Sequence, residues 1–369
     1  MSENQRRIMV RDTTPLLFQP IGFRSVTARN RIMLSPMCQY SGSDGMPTEW
    51  HSMHLGARAA GGAGIVFTEV TAVERRGLIT NYCLGLWNDA QRDAFARIAA
   101  FVASLGAVPA IQLGHAGRKA SVMRPWEGSK PLPPEAGGWQ AIGPSPLPFG
   151  DGHQVPKPMD DADIAALLAA TAAAVRRARE AGFKIVEFHA AHGYLLHQFL
   201  SPLSNRRNDR YGGSFDNRIR LLLECLDAVR SEWPADLPLF VRLSCTDWIE
   251  GGWDLDQSIR LAERLRQRGD VDLIDCSSGG VDPRQKIVLY PGYQIGFAEA
   301  IKRQAGIATG AVGLIHSPEM AEELLGNGRA DLVVLGRALL GDPHWPLKAA
   351  AALKAKVDWP LPYERANIY

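Results

Sequence analysis

Several stretches of this chain carry side chains whose types and spacing can do chemistry together. The richest is Glu187-Phe188-His189-Ala190-Ala191-His192-Gly193-Tyr194, two imidazoles three residues apart and a phenol two further on. Two imidazoles can donate to one developing oxyanion. A phenol keeps its proton at neutral pH and can give it up as a general acid. A His-x-x-His pair also suits zinc, but zinc wants a third ligand such as a carboxylate or thiol, and Glu187 is the only one on this stretch.

A thiol and a phenol, Cys38 and Tyr40, close the segment Ser35-Pro36-Met37-Cys38-Gln39-Tyr40. The plain alternative for Cys38 is a small buried hydrophobe. Gln112 stands between Ile111 and Leu113, before Gly114-His115-Ala116-Gly117-Arg118-Lys119. An inward amide there needs a polar partner, either neighbouring backbone or a heterocycle with both donors and acceptors. Arg242 interrupts the apolar run Leu239-Phe240-Val241-Arg242-Leu243-Ser244. A guanidinium in such a run is costly unless it meets an anion. That anion is either a carboxylate of the fold or a cofactor that gains negative charge during turnover. Glycines in Gly310-Ala311-Val312-Gly313 and Leu335-Gly336-Arg337 allow backbone N–H groups to approach a phosphate, and Arg337 adds a charged fork.

The elements that must position these groups follow one repeated pattern. Short apolar runs at 32–37, 65–70, 108–113, 185–190, 239–244, 273–277, 307–312 and 332–336 read as buried parallel strands. Amphipathic stretches between them predict helices at 89–105, 160–181, 217–233, 256–268 and 318–325, with a last one near 343–356. Several open on Asp, Asn or Ser, and Pro318 and Pro343 suit first helical turns. Eight strands alternating with helices is the count of a (β/α)8 TIM barrel. A doubly wound sheet is disfavoured, because no Gly-x-Gly-x-x-Gly follows the first strand. In a barrel the catalytic groups sit at strand C-termini, and the loops after strands seven and eight form the usual phosphate site.

The expected layout is an N-terminal extension (1–15) and a single barrel (16–369). The barrel has a hairpin plug at about 16–31 and a lid insertion at about 120–158, after the third strand. Pro, Gly and the two tryptophans Trp126 and Trp139 mark that insertion as a packed lid.

Composition bounds the partners. The 369 residues carry 41 Lys+Arg against 39 Asp+Glu, a net charge of +2, which argues against nucleic acid or an anionic membrane surface. The longest apolar stretch is too short to cross a bilayer, and no apolar signal region follows the basic start. Five scattered cysteines without a Cys-x-x-Cys fit a reduced, cytoplasmic protein without a metal or iron–sulfur site. The inventory lacks a carboxylate pair for hydrolysis, a Ser–His–Asp set and a strand lysine for a Schiff base. It suits a bound redox cofactor.

These stretches resemble the Old Yellow Enzyme family of FMN-dependent ene-reductases, in particular its bacterial thermophilic-like branch, which includes the Bacillus enoate reductase and the xenobiotic reductases. The resemblance runs from Leu17-Phe18-Gln19-Pro20 to the C-terminus. Its most specific parts are Ser-Pro-Met-Cys-Gln-Tyr (35–40), Gln-Leu-Gly-His-Ala-Gly-Arg-Lys (112–119), His-Ala-Ala-His-Gly-Tyr-Leu (189–195), the segment 199–218 and Leu-Gly-Arg (335–337). It implies FMN held by Pro36, Met37, Cys38, Ala72, Gln112, Arg242, Gly313, Gly336 and Arg337, with NADPH or NADH as co-substrate. It implies an enone, enal or maleimide-type substrate held by Tyr40, Lys119, His189 and His192, with Tyr194 as proton donor. It also implies a homodimer or homotetramer in which Arg365 of Tyr363-Glu364-Arg365 enters the neighbouring subunit's site. Val312 stands where some xenobiotic reductases carry a Trp beside the substrate, and four residues follow Arg365, beyond the usual ending. Other FMN barrels, such as xenobiotic or nitro-compound reductases, are the competing reading.

Overall fold

The computed structural model describes residues 14–367. The N-terminal extension therefore lies almost wholly outside the described residues, as do the last two residues of the chain. Eight parallel strands close into a barrel: β1 (Ile32–Leu34), β2 (Ile65–Ala72), β3 (Val108–Gly114), β4 (Ile185–Ala190), β5 (Leu239–Ser244), β6 (Leu273–Ser277), β7 (Ala308–Ala311) and β8 (Leu332–Leu335). Each pairs with its neighbour in chain order, and β8 pairs with β1. The expected (β/α)8 architecture is what forms.

The strand ends differ from expectation where chemistry intervenes. β1 stops at Leu34, two residues short of Pro36, which has no N–H to give a ladder. β2 runs on to Ala72 through a register shift between Phe67 and Val70.

The crossover helices are α1 (Glu49–Ala60), α2 (Asp89–Ser104), α3 (Asp161–Glu180), α4 (Phe215–Glu232), α5 (Leu255–Arg268), α6 (Ile295–Ala305) and α7 (Pro318–Gly326); α8 (Trp345–Ala352) follows β8. Caps set several of the starts. Asn88, Asp160, Ser214, Asp254 and Ser317 each accept the N–H three residues on. The sequence expectation that Pro343 sits in the first turn of α8 is not met: that helix starts at Trp345 with Pro346 in its first turn. Helices α1 and α6 have no counterpart among the six helices read from sequence.

Inward-facing residues stack in layers, because alternate residues of a strand share a face. Met33, Ile65, Phe67, Ala110, Ile185, Phe240, Leu273 and Val334 make an apolar lower layer. A short antiparallel hairpin, Ile21–Phe23 with Val26–Ala28, packs on it. Its Phe23 ring meets Phe240 edge-on at 5.0 Å, a contact worth about 0.5–1.5 kcal/mol beyond area burial. Above this apolar layer the interior becomes polar.

Residues 120–158 form a long excursion with only single-turn helices and two two-residue strands, Ile142–Gly143 and Lys157–Pro158. Trp139 is half-buried and donates from its ring nitrogen to the Arg76 carbonyl at 3.1 Å. Trp126 is not packed into a core: it is 64% exposed, edge-on to Tyr40 at 5.8 Å. No helix among the described residues is long and apolar enough to cross a membrane.

Candidate active site

The middle of the barrel is a buried polar floor drawn from four adjoining strands. Gln112 on β3 lies opposite Glu187 on β4, and Arg242 on β5 lies opposite Asp275 on β6. The Gln112 amide donates to Glu187 Oε1 at 2.7 Å. Arg242 Nε lies 3.0 Å from Asp275 Oδ2, an ion pair whose angle is too poor for a hydrogen bond. Its Nη2 donates to Ser35 Oγ at 3.1 Å and its Nη1 to the Pro36 carbonyl at 3.4 Å. The fold carboxylate that the sequence left open as Arg242's partner is therefore present. Three of the guanidinium's five N–H groups, Nε–H among them, make no hydrogen bond among the described residues.

The rim above this floor is the β4 exit. His189 Nδ1 accepts the Ala191 N–H at 3.2 Å, which places its ring proton on Nε2. His192 takes a left-handed φ of 58°, an uncommon backbone state for a non-glycine residue. Its N–H donates to Ser244 Oγ at 2.9 Å, and its Nε2 meets Ser277 Oγ at 2.7 Å. When the Ser277 hydroxyl donates to Nε2, the ring proton sits on Nδ1, where it can be donated.

Gly193 follows at φ 71°, and a Cβ there would lie 2.0 Å from the Gly280 carbonyl oxygen, so only glycine fits. Its N–H donates to His197 Nδ1 at 2.8 Å, and Asp247 holds the other side of that ring at 2.8 Å. This turn brings the His189 ring to 5.1 Å from both His192 and Tyr194.

Burial first, then the Arg242 charge, lowers both imidazoles well below the usual histidine range, so both are neutral at pH 7. Burial likewise raises the Tyr194 phenol well above 10, so it holds its proton. Lys119 donates to the His192 and Gly280 carbonyls at 2.9 and 3.0 Å, tying the two loops together. Its ammonium lies 5.0 Å from the centre of the Tyr194 ring and 4.6 Å from that of Phe149 in the excursion. Desolvation lowers its pKa to about 8.

At the mouth, Cys38 is half-buried and packs with Tyr40 against a cluster that includes Ala72. The hydrogen bond to the neighbouring Cys83 thiol, and then burial, raise the Cys38 pKa, so it is a thiol and not a thiolate. On the neighbouring side of the mouth a cleft of about 480 Å³ opens at the ends of β7 and β8, lined by Tyr293, Gln294, Val312, Gly313, Gly336 and Arg337. Arg337 is exposed and makes no ion pair among the described residues. Met37 sits beside the cleft, 3.5 Å from where a Gly336 Cβ would be. Arg365 lies apart from all of these, exposed in the C-terminal turn Leu361–Ala366.

The profile of the NADH:flavin oxidoreductase / NADH oxidase family matches residues 16–356. The chain belongs to that family. NADPH dehydrogenase from Geobacillus sp. (strain WCH70) is 48% identical over 95% of this chain and 98% of its own length. NADPH dehydrogenase from Bacillus subtilis (strain 168) is 44% identical at the same coverage. Among solved structures, morphinone reductase superposes with a TM-score of 0.76 at 28% identity, covering 95% of this chain and 92% of that one. The old yellow enzyme homologue from Zymomonas mobilis gives 0.77 at 29% identity, with 94% of each chain covered. The chain spans about half (52%) of 2-naphthoyl-CoA reductase, which superposes with a TM-score of 0.81 at 26% identity. This chain is an FMN-dependent NAD(P)H oxidoreductase of the Old Yellow Enzyme family.

Its residues fit FMN on their own chemistry. The floor offers an amide and unspent guanidinium N–H groups to a polar ring, and the cleft at β7 and β8 offers glycine backbone and a free arginine to a phosphate. Sequence reasoning singled out neither Asp275, Ser244 nor Ser277, nor Glu187 as Gln112's partner. Asp275 and Glu187 carried a usable signal, since an acid inside an apolar strand is as costly as Arg242 is. The two serines carried none.

Proposed function

We propose that this enzyme reduces the activated C=C bond of α,β-unsaturated carbonyl compounds (enones, enals and maleimides) with NADPH or NADH. The observation that carries the reading is the convergence of two neutral imidazoles and a protonated phenol above the Gln112–Arg242 floor. Pro36, Met37, Cys38, Ala72, Gln112 and Arg242 would hold the FMN ring; Gly313, Gly336 and Arg337 would hold its phosphate. When bound, FMN takes a hydride from the nicotinamide and supplies one to the substrate β-carbon.

The chain's own residues do the rest. His189 Nε2–H and His192 Nδ1–H donate to the carbonyl oxygen and stabilise the negative charge that develops there. They arrive as neutral donors held by backbone and serine partners, so little reorganisation is needed. Tyr194 delivers the proton from Oη to the α-carbon. Tyr40 and Lys119 line the substrate side. Arg365 reaches the site of a second subunit, in a cytoplasmic homodimer or homotetramer.

Stopped-flow measurement of the two half-reactions in Tyr194→Phe tests this. Flavin reduction by NADPH stays within a few-fold of the parent, while reoxidation by 2-cyclohexenone falls by about 10²–10⁴. Equal loss in both half-reactions would refute the role given to Tyr194.

A further inference from the structure

The floor holds one more charged group than the flavin chemistry requires. Glu187, Arg242 and Asp275 are 0%, 4% and 0% exposed, so one cation lies buried with two carboxyls. Below them the barrel is apolar. The ionisable groups that face them from above are His189, opposite Arg242 on the neighbouring strand, then His192 and Lys119. Both imidazoles are neutral, and Lys119 is turned to backbone carbonyls.

Arg242 can compensate one carboxylate, and its 3.0 Å contact is to Asp275. Glu187 receives a single hydrogen bond, from Gln112, and its Oε2 has no partner. An ionised Glu187 would be a second buried anion with no cation of its own, an arrangement proteins avoid by keeping the group protonated. The shifts agree in direction. Burial and then the Asp275 charge raise Glu187 well above the carboxylate range, and burial raises Asp275 against the pull of Arg242.

We propose that Glu187 and Asp275 share one proton beneath the flavin in the oxidised enzyme and take up a second from solvent when the flavin is reduced. The hydride from NADPH adds one negative charge above the floor. Arg242 is drawn to that charge and no longer compensates Asp275. The free carboxylate then accepts a proton from hydronium or a buffer acid, so one O–H bond breaks in the donor as one forms on the protein. Charge balances: one hydride and one solvent proton enter, and NADP⁺ leaves. Reoxidation reverses the step. The inference rests on flavin lying over Arg242, as proposed above.

Two readouts on the FMN-loaded enzyme test it. Anaerobic reduction by NADPH in weak buffer with an indicator dye should remove about one solvent proton per flavin at neutral pH. In Glu187→Gln/Asp275→Asn together the uptake should vanish. The infrared redox difference spectrum, with ¹³C-labelled Glu or Asp, should show one protonated carboxyl before reduction and two after. Either single variant should erase the oxidised-state band, because the remaining carboxyl is then ionised by Arg242.

Flavin that bleaches with no proton uptake would overturn the proposal. So would uptake that survives in the double variant, or an oxidised-state band that survives in Glu187→Gln. If the double variant loses its flavin, the single-variant infrared result decides. A preparation without flavin, or one that NADPH does not bleach, would sink the flavin reading instead.

Discussion

At the tip of the fourth strand, a single hydrogen bond decides which face of His189 is available. The Ala191 amide occupies Nδ1, so Nε2–H points away to donate. Removing that donor in His189→Ala should cost about 10²–10³ in enone reduction while sparing flavin reduction by NADPH, read from the two half-reactions. Since burial and Arg242 hold both histidines neutral, the enone half-reaction should show no histidine inflection between about pH 6 and 9. Lys119 behaves differently. Its folded pKa, about 8, lies below the ordinary 10.5, so the unfolded chain binds more protons in that window. Stability contributed at this site is therefore lowest below about pH 8 and rises toward pH 10.5. Urea midpoints of the enzyme and of Lys119→Met, compared at pH 8 and 10, should show the parent gaining relative to the variant as pH rises. Most of these residues were legible because a polar group breaks an apolar run. Ser244 and Ser277 were not, since a serine at a strand end is ordinary until the fold brings His192 to it.

The elements were legible where period and capping agreed. β4, β5 and β6 end where their apolar runs end, and α3 starts beside the Asp160 cap. Asp160→Ala should lower the midpoint of chemical denaturation, since it removes the cap on the Asp163 N–H. Helix α1 escaped notice because Glu49-Trp50-His51-Ser52-Met53-His54 shows no apolar stripe; its buried face is made of His51, His54 and Arg58 as much as of Leu55. α6 was hidden by the Gly and Pro that precede it and by Gly296 in its first turn. The β4 exit shows the opposite case, a short turn that everything else leans on. Gly193→Ala would bring a Cβ to 2.0 Å from the Gly280 carbonyl at a positive φ. It should cost more than about 2 kcal/mol in unfolding free energy, and any folded fraction should lose enone reduction before NADPH oxidation.

On the scale of the whole molecule, the barrel separates two tasks along its axis. The apolar lower layer and the hairpin on it supply packing, and the polar floor, rim and cleft above supply a binding surface. This division was readable from eight apolar runs whose chemical residues cluster at their C-terminal ends. The placing of residues 120–158 was not, because their fold depends on scattered contacts such as Trp139 to the Arg76 carbonyl. Arg337→Ala should raise the FMN dissociation constant by about 10–100-fold, since a charged hydrogen bond is worth roughly 1.5–3 kcal/mol. Added FMN should then raise the melting temperature of the parent more than that of the variant. The most direct measurement is an anaerobic visible spectrum of the purified protein, titrated first with NADPH and then with 2-cyclohexenone. The account predicts flavin bands that bleach with the first and return with the second. A yellow protein that bleaches and stays bleached with the enone would contradict the ene-reductase reading, and a colourless protein that takes up no FMN would contradict the site itself.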